Sequence, residues 1–178
     1  MKTFNLFLCC LLSICPTIQA LEIRGQTSFV AVPTPIKFVN YASKAWQSGA
    51  RYNFTISLPL DADASLGMLS LEQIQGAESA FYRREVKPKA YYGNHKRTGN
   101  IDEIPITAHY GNHGRLINVK FKQPIKPGQT ITVTFNVLRN PPSGLYMWAV
   151  NAIPAGPSPI SQPVGVVRMM VYQPNRLR

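Results

Sequence analysis

Hydrophobic and polar residues alternate with a period of two along much of the chain. Tyr52, Phe54, Ile56 and Leu58 are separated by Asn53, Thr55 and Ser57. Ile117, Val119 and Phe121 are separated by Asn118 and Lys120, and Ile131, Val133, Phe135 and Val137 by Thr132, Thr134 and Asn136. Side chains of a strand point alternately to its two faces, so each run predicts a half-buried strand with one polar face. Leu69 and Leu71 predict another strand over residues 67–74. The runs 145–153 and 164–172 are apolar at both parities, which predicts central positions in a sheet. Residues 29–39 form a first strand region interrupted by Pro33 and Pro35, which suits an edge.

Turn residues punctuate these runs. Pro127-Gly128 predicts a hairpin between the strands at 115–122 and 130–138, with proline at the second turn position and glycine at the third. Gly111-Asn112-His113-Gly114 and Pro141-Pro142-Ser143-Gly144 predict further turns, and the proline-rich stretch 154–159 a rigid loop before the last strand. Residues 76–99 are less regular and fit either a short helix near 72–81 or a long inter-strand loop. Short strands at spacings of about 10–15 residues predict an all-β protein, a single antiparallel β-sandwich of immunoglobulin-like style with seven or eight strands.

Composition adds location. The chain has 178 residues, a length of one domain, and its 45% hydrophobic content excludes wholesale disorder. Met1-Lys2-Thr3 precedes an almost wholly apolar run over 4–14, and Ile18-Gln19-Ala20 supplies a small residue. This order predicts a signal peptide over residues 1–20, cleaved between Ala20 and Leu21, and one sandwich domain over 21–178. The run is about half the ~20 residues that span a bilayer, so no transmembrane segment is expected in the mature chain. The expected location is the periplasm or the extracellular space. Cys9, Cys10 and Cys15 all fall within the leader, so the mature chain would have no disulfide, no reactive thiol and no cysteine-ligated metal.

The stretch Val137-Leu138-Arg139-Asn140-Pro141-Pro142-Ser143-Gly144-Leu145-Tyr146, followed by Ala152-Ile153-Pro154-Ala155-Gly156, resembles the signature of a small secreted cyanobacterial family catalogued as a domain of unknown function. The segments 52–59 and 164–172 resemble its early and final strands, and the resemblance covers roughly residues 35–172. It implies a single exported β-rich domain and no activity, cofactor or catalytic residue. The residues themselves read as a corner: Pro141 ends a ladder, Gly144 permits the return, and Tyr146 and Trp148 share one face of the next strand.

Charge supplies the candidate chemistry. There are 19 Lys and Arg against 8 Asp and Glu, a formal net charge of +11. Arg83, Arg84, Lys87, Lys89, Lys96 and Arg97 cluster in one segment with Tyr82, Tyr91 and Tyr92. Such a loop concentrates anions, while tyrosine faces stack on sugars or bases. The expected partner is an acidic polysaccharide, a lipid headgroup or an acidic protein surface, with no specific nucleic acid. The plainer alternative is a solvated loop that keeps the protein soluble. A second reading is a periplasmic copper or zinc carrier using His109 and His113. On a straight strand these would lie about 13 Å apart, so only the Gly111–Gly114 turn, which contains His113, would let both reach one metal. A third reading is a structural subunit of an envelope assembly. Asp61, Asp63 and Glu72 match part of a calcium loop, but Leu66 stands where such a loop needs glycine. No Gly-x-Ser-x-Gly or His-Glu-x-x-His motif occurs, so no enzymatic activity and no cofactor are expected.

Overall fold

The computed structural model describes residues 22–23, 25–33, 36–81, 86–96 and 102–174. It contains β1 (Glu22–Ile23), β2 (Gln26–Thr27), β3 (Lys37–Val39), β4 (Arg51–Ser57), β5 (Leu66–Gln75) and β6 (Lys89–Tyr92). β7 (Glu103–Ile104), β8 (Ile106–Gly111), β9 (Leu116–Ile125), β10 (Thr130–Asn136), β11 (Gly144–Pro154) and β12 (Gln162–Val171) follow. β1 and β2 pair with each other. The other ten strands form two five-stranded sheets, ordered β3-β4-β10-β6-β7 and β12-β11-β5-β9-β8. Every strand pairing within them is antiparallel. The protein is a β-sandwich.

The period-two runs become the two inner faces. Tyr52, Phe54 and Ile56 of β4 and Ile131, Val133 and Phe135 of β10 are buried against Leu69 and Leu71 of β5 and Ile117 and Val119 of β9. Trp148 of β11 is the largest fully buried side chain, and the rings of Phe38, Tyr52, Phe54, Phe81 and Tyr146 surround it at centroid distances of 5.8–6.5 Å. Aromatic side chains bury large areas, so this cluster dominates the energy of the core.

Four expectations change. All seven predicted strand regions contain strands, and β1, β2, β6, β7 and β8 join them, so the two main sheets hold ten strands where seven or eight are expected. β6 and β7 have four and two residues, too few for a hydrophobic period to register. Pro127-Gly128 makes the expected turn, with Gly128 at φ +81° and the Gln129 amide donating to the Lys126 carbonyl at 3.3 Å. It does not make a hairpin: β9 pairs with β5 and β8, whereas β10 pairs with β4 and β6 in the opposite sheet. A four-residue turn fixes local dihedrals and leaves open which neighbour each strand takes. β12, expected centrally, lies at an edge with Val166 and Met170 about half exposed. Residues 72–75 continue β5, and no helix forms at the described residues of 72–81. β3 is an edge strand as expected.

Candidate functional site

The Arg139-Asn140-Pro141 corner follows β10 at one end of the sandwich. Asn140 is fully buried. Its side-chain amide donates to the carbonyls of Ala42 (2.8 Å) and Lys44 (3.0 Å), and its Oδ1 accepts the Tyr52 hydroxyl at 2.9 Å. Burial, then the neighbouring Tyr146 phenol, pushes the Tyr52 phenol pKa well above its ordinary value, so this hydroxyl stays a donor. The Asn140 amide N–H also donates to the Gln47 carbonyl at 2.9 Å. Thus one asparagine ties the 42–47 segment onto the inner strand.

That segment is held from both sides. The Ala45 amide donates to the Tyr172 carbonyl at 2.8 Å and the Gly49 amide to the Leu138 carbonyl at 3.0 Å. Between these ties Trp46 has a φ of +61°. Left-handed backbone is uncommon for a bulky residue and costs about 1–3 kcal/mol, so it persists only where surrounding contacts over-determine it. Trp46 remains 44% exposed, and the Arg139 guanidinium lies 5.9 Å from its ring centroid. Both line a cleft of about 410 Å³ with Glu78, Phe81, Val86 and Leu138. Leu138 is 68% exposed, an apolar side chain left at the cleft rim.

The outer face of the β3-β4-β10-β6-β7 sheet is different in kind. Register aligns Lys37, Thr55, Thr132, Tyr91 and Glu103 in one row, and Val39, Asn53, Thr134 and Lys89 in the next. Thr55 and Thr132 share a hydrogen bond at 2.8 Å, and Thr134 donates to Asn53 Oδ1 at 2.9 Å. The charged residues of these five strands are Lys37, Arg51, Lys89 and Glu103, and alternation puts all four on this face. Lys89 and Glu103 pair at 2.6 Å, both well exposed. His95 follows β6, and its ring centroid is 6.3 Å from that of Tyr41. Desolvation, then Lys37 and Lys96, lowers the His95 pKa, so positive potential accumulates around this imidazole.

The predicted site residues therefore separate. Tyr82, Arg83, Arg84 and Arg97 lie outside the described residues. The flanking residues Phe81 and Val86 line the cleft. Lys87 is exposed in the approach to β6, beside a groove lined by Ile106, His109 and Tyr110. Lys89 and Tyr91 project from the outer face of β6, whereas Tyr92 packs against the core. The described part of the expected loop therefore contains a strand that turns alternate residues in opposite directions. Lys37, Trp46, Glu78 and Arg139 were not singled out by sequence as site residues. Lys37 and Trp46 carried no local signal, because register and loop ties bring them to their sites from distant parts of the chain.

His109 lies on β8 opposite Asn118, and His113 sits in the short 3-10 turn over Asn112–Gly114 with a φ of +52°. Both are exposed. No group of three or more His, Cys, Asp or Glu side chains placed to hold a metal occurs among the described residues. Asp61 and Asp63 lie in the turn before β5, while Glu72 is on β5 between Ala149 and Leu116. Among the described residues no helix is long and apolar enough to cross a membrane. The predicted cleavage residues Ala20 and Leu21 lie outside the described residues.

These features define an open two-sheet β-sandwich with an end cleft at an Arg-Asn-Pro corner and exposed cations on both outer faces, Lys37, Arg51 and Lys89 on one and Lys120, Lys122 and Arg168 on the other. The chain belongs to the family described as "Protein of unknown function (DUF2808)", which matches residues 26–171. Comparison with curated proteins finds no match. Among solved structures, the chain is similar to BslA, described as a bacterial hydrophobin (15% identity, TM-score 0.47, covering 79% of this chain and 93% of that one). It is also similar to a DUF4466 family protein from Parabacteroides merdae (10% identity, TM-score 0.45, covering 79% of this chain and 45% of that one). A third similar structure is AvmM, described as catalysing macrocyclization in alchivemycin A biosynthesis (8% identity, TM-score 0.41, covering 89% and 98%).

Proposed function

We propose that this protein is an exported, non-enzymatic envelope or extracellular protein that binds an anionic polymer through the exposed cations Lys37, Arg51 and Lys89, which flank the buried Asn53, Thr55, Thr132 and Thr134 on the outer side of the β3-β4-β10-β6-β7 sheet. The observation that carries the reading is the arrangement of Lys37, Arg51 and Lys89 on that face, with Glu103 as the carboxylate of its strands. Lys96 extends the positive region beyond β6, close enough to Lys37's side of the sheet that both lysines act on His95. A polyanion lying along such a face gains from several weak contacts at once and releases counterions, so retention falls steeply with salt. The charge pattern of residues 1–20 supports export, and the chain's +11 charge favours an acidic partner.

The test is chromatography on an immobilised acidic polysaccharide at low and high salt. Replacing Lys37, Lys89 and Lys96 together by Gln is expected to weaken low-salt retention strongly while moving the melting temperature by only a few degrees, because exposed charges contribute little to stability. Unchanged retention in that variant would remove the proposal.

A further inference from the structure

We infer that the end cleft is a separate binding site for a carboxylated sugar residue, with Trp46 as the stacking platform and Arg139 as the carboxylate partner. The inference rests on the anionic-polymer reading and names the polymer as an acidic polysaccharide. A volume of about 410 Å³ falls within the range of small-ligand clefts.

The walls select the ligand class. Trp46 offers an exposed aromatic surface, held in a left-handed backbone by hydrogen bonds on both sides. Strain maintained at an exposed aromatic side chain is a recurrent mark of a binding position. The Arg139 guanidinium contacts the Trp46 ring but makes no hydrogen bond or ion pair among the described residues. Its planar fork matches a carboxylate in two-point contact.

Glu78 decides between anionic ligands. Its carboxylate makes no hydrogen bond or ion pair among the described residues either. An acceptor of this kind repels a phosphate, which carries up to two negative charges and at most one or two donors at neutral pH, but suits a sugar, whose several hydroxyls donate. A hydrocarbon chain would leave Arg139 and Glu78 desolvated without partners, which is unfavourable. A uronic acid satisfies every wall together: ring on Trp46, carboxylate on Arg139, hydroxyls on Glu78, ring edge against Leu138 and Val86.

The chain has two tryptophans, and Trp148 is fully buried and out of a ligand's reach, so a ligand-induced change in emission is assigned to the exposed Trp46. Purified protein is titrated with a short oligogalacturonate, its neutral methyl ester and a short poly-glutamate peptide. The expected result is a saturable emission change with the acid sugar and binding at least about tenfold weaker for the ester and the peptide. Arg139→Gln weakens acid-sugar binding by about tenfold or more, and Trp46→Phe removes the emission change. Arg139→Lys, which keeps the charge and loses the fork, falls between, and serves if the Gln variant does not fold.

No saturable response to the acid sugar, an equal response to its ester, or an equal response to the peptide overturns the site. The Lys37→Gln, Lys89→Gln, Lys96→Gln variant keeps the short-oligomer titration even as its salt-sensitive polymer retention weakens. Failure of the titration with polymer retention intact therefore removes the cleft alone. Failure of the wild-type protein to be retained on polymer removes the sheet-face reading.

Discussion

Replacing Asn140 by Ala probes the tie on which the cleft depends. The substitution removes side-chain hydrogen bonds of 2.8, 2.9 and 3.0 Å from a fully buried position. Each such bond contributes about 0.5–1.5 kcal/mol net, and a buried group left unpaired costs about 1–3 kcal/mol. The Ala42 carbonyl keeps the Asn40 amide at 2.7 Å, so the new orphan is chiefly the Tyr52 hydroxyl, in a residue with no exposed surface. The expected loss is about 3–4 kcal/mol, or roughly 10 °C in melting temperature for a chain of this size. Urea unfolding of single and double variants tests the mechanism. Tyr52→Phe alone should cost about 1 kcal/mol, yet cost nothing, or restore stability, in the Asn140→Ala background, because the orphaned hydroxyl is then gone. A coupling of about 1–2 kcal/mol is expected; additivity within about 0.5 kcal/mol would refute the argument. Asn140→Asp adds a sign test. A carboxylate there faces the Ala42 and Lys44 carbonyls, so its folded pKa must lie above the unfolded value of about 3.9. That variant should lose stability as pH rises from about 4 through its folded pKa, since the folded state then holds the proton more tightly.

Gly76→Ala should destabilise by at least about 2 kcal/mol in thermal melts, because Gly76 has a φ of +131° and an added Cβ would lie 2.4 Å from Tyr146 Cδ1. Glu103→Gln should change stability by under about 1 kcal/mol, as expected for an exposed pair, but increase salt-sensitive retention on the acidic polymer by freeing Lys89. His95 is held below its ordinary pKa by desolvation, Lys37 and Lys96, so the folded state takes up fewer protons than the unfolded one as pH falls below about 6.5. Stability should therefore decline on acidification through that range, and His95→Asn should lessen the decline in melts at pH 5.5 and 7.5. A bound polyanion offsets both lysines, so its retention should strengthen over the same interval in wild type and stay flat in the variant.

Legibility followed the length scale of each signal. Alternation located β4, β5, β9 and β10 because the inward parity of each run is written in consecutive residues. Pro127-Gly128 predicted its own turn correctly and its strand pairing wrongly, since β10 takes its neighbours from 51–57 and 89–92. The apolar run of β12 predicts a central strand, yet it forms an edge whose Val166 and Met170 are about half exposed. Hydrophobicity at both parities measures tolerance for burial, and only the sheet order determines whether a neighbour arrives to provide it. The basic segment is legible as charge; that Tyr91 and Tyr92 point oppositely follows from the pairing of β6 with β10.

By itself the sequence determined the sandwich class, most of the inner-face residues and the excess of positive charge, because strand period and composition are local quantities. Tertiary structure alone decided that Lys37 and Lys89 share a face and that Trp46, Glu78 and Arg139 share a cleft. These residues lie tens of positions apart in the chain. Burial of the two inner faces, the antiparallel register and the hydrogen bonds of Asn140 bring them together, and each is a long-range interaction that no window of sequence contains.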